Sequence, residues 1–186
     1  MTNRYVDSDL GLAILGLLSL QPMSGYSLRK IFLTTAMKAF SGSPGAIYPA
    51  LRRLEKEGLV AGTVEKRDTL RPRKVFGLTP RGRAALVDSL TKPVGREDVI
   101  RGTDRLLLRF SFMSGLVGRG QAIEFLSALA SRMEDYLHEL EAEYLSMASG
   151  SSFTGRAALE QGVETYRTTV RWARKTLGAL KKRSTL

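Results

Sequence analysis

The sequence holds no cysteine and one histidine, His138, in 186 residues. The missing cysteines exclude disulfides, thiolate zinc sites, iron–sulfur clusters and a cysteine nucleophile. A single imidazole cannot build a histidine-rich metal site within one chain and leaves a Ser-His-Asp triad only one candidate base. His138 itself stands among Asp135, Glu139 and Glu141, the setting of a solvated helix face. Long apolar runs are also absent. The longest, Leu10 to Leu20, has 11 residues, about half of what a membrane span requires. Asp7 and Asp9 precede it, where a secretory signal would carry positive charge, so a cytoplasmic protein with no membrane partner is expected. The glycines of Gly115-Leu116-Val117-Gly118-Arg119-Gly120 have the wrong spacing for a nucleotide fingerprint, and no strand precedes them. Paired carboxylates such as Glu134/Asp135 and Glu139/Glu141 have no apolar pocket to shift their pKa. No enzyme, metal or cofactor is expected.

What the chain does have is positive charge. Lys and Arg number 29 against 18 Asp and Glu, a formal surplus of 11. Such an excess points to a polyanionic partner and says nothing of fold. It is uneven: residues 1–86 carry 14 cations against 6 acids, whereas residues 87–186 carry 15 against 12. Between the halves, Thr91-Lys92-Pro93-Val94-Gly95 has the breakers of a linker. We therefore divide the chain into a basic domain over 1–90, a linker over 91–102 and a helical domain over 103–186.

The first half reads as three helices and a hairpin. A helix from about Asp7 to Ser19 is apolar nearly all round and should lie at the centre of the core. Ser24 is placed to cap a second helix reaching about Met37, with Leu28, Ile31, Phe32 and Thr35 inward. After the Ser41–Gly45 turn, a third helix ends near Gly58, a C-terminal glycine cap. Its inner face is Ile47, Leu51 and Leu54. Its outer face combines Gly45, Pro49, Arg52, Arg53 and Lys56, with Tyr48 on the flank. Pro49 fits if it lies in or near the first turn. The period then turns to alternation: residues 59–65 and 73–78 predict two strands, and Lys66, Arg67, Arg71, Arg73 and Lys74 place five cations on one hairpin. Thr79-Pro80 opens a further helix. Three helices and a basic hairpin form a winged helix-turn-helix, which sets its third helix in a major groove and its wing on the backbone or adjacent minor groove.

The run Gly45-Ala46-Ile47-Tyr48-Pro49-Ala50-Leu51-Arg52-Arg53-Leu54-Glu55-Lys56-Glu57-Gly58-Leu59-Val60 resembles the recognition-helix signature of the PadR family of transcriptional regulators. Leu15–Leu18 and Met23–Tyr26 upstream, and Arg73–Gly82 downstream, extend the resemblance over about residues 10–86. It implies a dimeric regulator, usually a repressor, that a small molecule or another cellular cue releases from DNA, with a C-terminal helical dimerisation region of the longer kind. It implies contacts to a major groove or phosphate from Ser43, Tyr48 and Arg52, with Arg53 beside them. Ser24 and Tyr26 would touch backbone phosphate, and Arg67, Arg71, Arg73 and Lys74 would serve the wing. Family members often carry two tyrosines where this chain has Val75 and Phe76, so any contact from those hydroxyls is lost here. The plain alternatives are a packed Tyr48, surface ion pairs around Glu55 and a solvated strand face at Arg73 and Lys74.

In the second half, a short apolar helix over about Thr103–Leu116 precedes a long one over about Gly120–Met147 and a last one after the Ser149–Ser152 linker. Leu126, Met133, Leu137 and Leu140 on the first long helix, and Val163, Val170 and Leu177 on the second, follow steps of three and four. The expected architecture is therefore mostly α: a winged helix-turn-helix followed by an antiparallel coiled-coil-like pair, with those seven residues facing a second copy. Phe110, Tyr136 and Trp172 are the candidates for binding a small aromatic effector, against the commoner reading of aromatic core. The functional expectation is a homodimeric repressor on palindromic double-stranded DNA. The competing one is a coiled-coil interaction protein whose basic half binds RNA or acidic protein without sequence preference.

Overall fold

The Ser8 Oγ accepts from the Gly11 N–H at 3.1 Å and so caps the first helix, α1 (Asp9–Leu20). The structure, a computed structural model, describes residues 8–40, 44–67, 70–101, 103–147 and 152–183, without the side chains of 44, 66, 67, 70 and 71. It divides into two compact units, Met1–Leu90 and Thr91–Leu186.

In the first unit, Leu12, Ala13, Ile14 and Leu15 of α1 are all 0% exposed, as a helix apolar on every side requires. A two-residue strand follows, β1 (Met23–Ser24), and then α2 (Gly25–Thr34). α2 stops three residues short of the expected Met37, and Thr35 is exposed rather than inward. Thr34 and Thr35 both turn their hydroxyls back to carbonyls four residues earlier, Lys30 at 2.9 Å and Ile31 at 2.8 Å, and β-branched residues so engaged weaken a helix end. Residues Ala36–Phe40 and Pro44–Ala46 form tighter 3₁₀ turns. α3 (Ile47–Lys56) buries Ile47, Leu51 and Leu54 and holds Pro49 in its first turn, where the missing N–H costs nothing. Gly58 ends it with φ +69°.

The hairpin of β2 (Val60–Arg67) and β3 (Leu70–Leu78) completes a three-stranded antiparallel sheet in the order β1-β3-β2. Val60 pairs with Leu78 and Thr63 with Val75, and β1 sets Met23 against Phe76 on the other edge. Thr79 then caps α4 (Pro80–Thr91): its Oγ1 accepts from the Gly82 N–H at 2.9 Å, and the same hydroxyl lies 2.7 Å from the Gly58 carbonyl. This brings α4 so close to the chain after α3 that a β-carbon at Gly82 would overlap the Leu59 carbonyl oxygen. Gly82→Ala should therefore destabilise the first unit by about 1–3 kcal/mol, read as a lower urea midpoint at unchanged slope. An unchanged midpoint would mean that α4 moves aside freely.

The second unit is helical: α5 (Arg96–Ile100), α6 (Asp104–Ser111), α7 (Arg119–Ser146) and α8 (Phe153–Lys182). The 91–102 stretch, expected as a linker, is not free chain. It contains α5, with Val94 and Val99 buried, and the Asp98 carboxylate accepts from the Gly95 N–H at 2.8 Å. α6 ends at Ser111, short of the expected Leu116, where the Ser111 hydroxyl donates to the Leu108 carbonyl at 2.8 Å. α7 and α8 run antiparallel: Glu134 pairs with Arg174, Glu141 with Arg167, and Arg119 donates to the Leu180 carbonyl at 3.2 Å. These partners converge in space because the chain reverses between the two helices.

That packing corrects the expected dimer seam. Leu126 and Met133 are 0% exposed within a single chain, and Leu137, Val163 and Val170 are likewise buried. Leu140 and Leu177 are only half-buried. The three-and-four seam is filled by the chain's own second helix, which leaves those five buried side chains nothing to offer a partner.

Candidate nucleic-acid interface

α3 has two chemically different sides. Its apolar residues are sunk in the first unit, while Tyr48, Arg52, Arg53 and Lys56 are exposed, Tyr48 at 43%. A helix anchored in this way presents a rigid cationic face whose long side chains can reach bases or phosphates of a groove. Tyr26, on the first turn of α2, is 68% exposed and adds a second polar-tipped ring to the exposed surface of the unit.

Ser24 does not join them. It is 9% exposed, and its Oγ accepts from the Ser27 N–H at 3.1 Å and lies 2.9 Å from the Ser27 hydroxyl. Its oxygen is engaged in starting α2, the capping role expected of it. Ser43 lies outside the described residues, as do the side chains of Arg67 and Arg71.

The strand cations are engaged as well. Arg73 Nε donates to Glu65 Oε2 at 3.0 Å across the hairpin, and Lys74 Nζ donates to Glu55 Oε2 at 2.7 Å. Lys74 also stands 5.2 Å from the centre of the Phe76 ring, which is buried with Val75 against the body of the unit. Val75 and Phe76, on opposite faces of β3, are thus both buried. Glu55, which sequence reasoning placed only among possible surface pairs, is a junction between helix and wing. The signal for it was weak, because 19 residues separate it from Lys74.

The three effector candidates do not form one site. Phe110 and Trp172 meet edge to face at 5.8 Å, and Phe110 stacks on Phe125 at 6.4 Å. Tyr136 belongs to another cluster, 5.0 Å from Tyr166, whose hydroxyl donates to the Val99 carbonyl at 2.7 Å. Burial raises the Tyr166 pKa above its usual value, with Tyr136 adding to the effect. A cleft of about 290 Å³ lies beside the first cluster, with Pro93, Val94, Phe125 and Ala128 as apolar lining, Lys92 and Arg132 as cations and Glu124 as an acid. Behind it, Arg109 is 4% exposed, donates to the Lys92 carbonyl and lies 4.8 Å from the Phe125 ring. Desolvation lowers its pKa to about 10, against a rise from Asp98, so it stays charged at neutral pH. None of Phe110, Tyr136 and Trp172 lines this cleft.

Among the described residues no group of acidic, histidine or cysteine side chains is arranged to hold a metal, and His138 is exposed. No helix of the described residues is long and apolar enough to cross a membrane.

Comparison with known proteins matches residues 14–88 to the family model of the transcriptional regulator PadR-like family. The negative transcriptional regulator PadR of Bacillus subtilis strain 168 is 27% identical over 132 residues, which span 71% of each chain. Among solved structures, Bacillus subtilis PadR in complex with operator DNA is 25% identical, with 91% of this chain and 97% of that one covered at a TM-score of 0.42. The PadR-like transcriptional regulator BC1756 from Bacillus cereus is 28% identical, with 96% and 97% covered, also at 0.42.

Proposed function

The chain belongs to the PadR-like family of transcriptional regulators, and from that premise we propose that it is a homodimeric repressor which reads a palindromic operator and is released by a small-molecule effector. The observation that carries the reading is the two-sided α3: Ile47, Leu51 and Leu54 buried, with Tyr48, Arg52, Arg53 and Lys56 outward on a winged unit. In sequence, Lys66, Arg67 and Arg71 add further cations to the hairpin. One copy offers one reading head. Two copies, with α3 helices about 34 Å apart, match successive turns of a duplex, and the palindrome follows from their two-fold symmetry.

The cleft at Lys92, Phe125 and Arg132 is the receptor we favour for the effector, because it joins an apolar floor to two cations against the single carboxylate of Glu124, a lining that suits a small planar aromatic molecule with a polar or anionic end. Phe110, Tyr136 and Trp172 lie outside its lining.

Fluorescence anisotropy across a salt series, with the DNA upstream of the protein's own gene and a scrambled duplex of equal length, tests the reading. A specific repressor should prefer its operator by about a thousandfold or more, with a steep salt slope on both duplexes. Equal affinities would instead identify a basic domain that binds polyanions without reading sequence.

A further inference from the structure

Glu55 stands on the last turn of α3 and reaches both strands of the wing. Its Oε1 accepts from the Gly62 N–H of β2 at 3.2 Å, and its Oε2 accepts from Lys74 Nζ of β3 at 2.7 Å. The approach depends on glycine, for a β-carbon at Gly62 would stand 2.8 Å from Glu55 Oε1 and overlap the Lys74 side chain. The place of attachment matters. Among the described residues β1 supports β3 only at Val75 and Phe76, so from Lys74 outward the described hairpin is a two-stranded ribbon. Glu55 takes hold where that support ends.

We infer that Glu55 is a positioning residue for DNA recognition: one carboxylate fixes the angle of the wing to the recognition helix, and Lys74 serves that clamp rather than a phosphate. A two-stranded ribbon held on one side by a sheet edge would otherwise swing about Val75. Held from α3, it moves with the helix whose register on the duplex it must match. The pair is partly exposed, at 31% for Glu55 and 45% for Lys74, so its effect on stability is small. Its weight lies in geometry, since groove contacts made by a rigid pair of elements need no ordering when the duplex arrives. The inference rests on the repressor reading.

The test uses the full chain with Glu55→Ala, Glu55→Gln and Lys74→Met. Hydroxyl-radical footprints of the operator should lose protection under the wing in Glu55→Ala, while guanine N7 protection under α3 persists and the operator Kd rises about tenfold or more. Glu55→Gln keeps an acceptor for Gly62 and should lose part of the wing footprint, which preserves the test if the alanine variant does not fold. Lys74→Met should reproduce the footprint loss with the slope of log K against log salt unchanged. A slope shallower by about 1.8, the value for one phosphate contact in each of two half-sites, would make Lys74 a direct phosphate ligand and overturn the proposal. So would a wild-type footprint in folded Glu55→Ala. If the unaltered protein does not distinguish operator from scrambled DNA, the repressor reading fails on its own. The clamp is then judged without DNA, by amide exchange. Exchange at Gly62 at least tenfold faster in Glu55→Ala supports the clamp, and an unchanged rate refutes it.

Discussion

Replacing Tyr48 and Arg52 together by alanine should cost the protein its operator and leave its fold intact. Arg52 is exposed and Tyr48 is 43% exposed with its ring edge against Gly25 of α2, while Ile47, Leu51 and Leu54 hold the helix from the opposite side, so the double variant should stay folded at a cost of about 1 kcal/mol. A well-made base contact is worth about 1–3 kcal/mol, and a dimer repeats each contact in its second half-site, so the operator Kd should rise by at least about a hundredfold. Scrambled duplex should lose only what one cation per subunit contributes, because non-specific affinity depends on charge. Arg52→Lys separates the two roles further. It keeps the charge and loses the planar fork, so operator preference should fall while the salt slope stays. Anisotropy on both duplexes, with footprinting of the operator, reads all three variants. An unchanged footprint in the double variant would remove α3 from the role of reading helix.

The winged unit was legible in the sequence where local chemistry decides structure. The Leu12–Leu15 run specified a central helix, Gly58 its neighbour's end and Thr79-Pro80 the start of α4, each through a preference that acts within a few residues. β1 escaped notice because two residues carry no period, and Met23 and Ser24 become a strand only when β3 is presented to them. Ser24 carried two readings for a related reason. A hydroxyl near a helix start suits both a cap and a phosphate contact, and the 3.1 Å bond from Ser27 decides for the cap. Arg73 and Lys74 read as free cations until strand register brought Glu65 and helix packing brought Glu55 beside them. The seam of α7 and α8 was ambiguous in another way. Steps of three and four show that a helix face is covered, and the same steps arise whether the cover is the chain's own next helix or a second copy.

That ambiguity gives the other large effect. Leu126→Asp should unfold the second unit rather than yield a folded monomer. Leu126 is 0% exposed, in the same buried face of α7 as Ala122, Leu129 and Met133. A carboxylate there loses its water without gaining a cation, since the Arg–Glu pairs of the hairpin lie on its exposed edges, at Arg174 and Arg167. The cost is that of a buried unpaired charge added to the lost apolar contacts, about 5 kcal/mol or more, enough to consume most of a domain's stability. Circular dichroism at 222 nm should show the signal of α7 and α8 melting far below the unaltered protein, or absent at room temperature. Leu177→Asp, at a half-buried position of α8, should be milder because its carboxylate can keep part of its hydration. Sedimentation velocity completes the comparison. A Leu126→Asp variant that sediments as a monomer with unaltered helicity and melting temperature would show that this seam faces a partner after all, and that α7 and α8 separate to meet it.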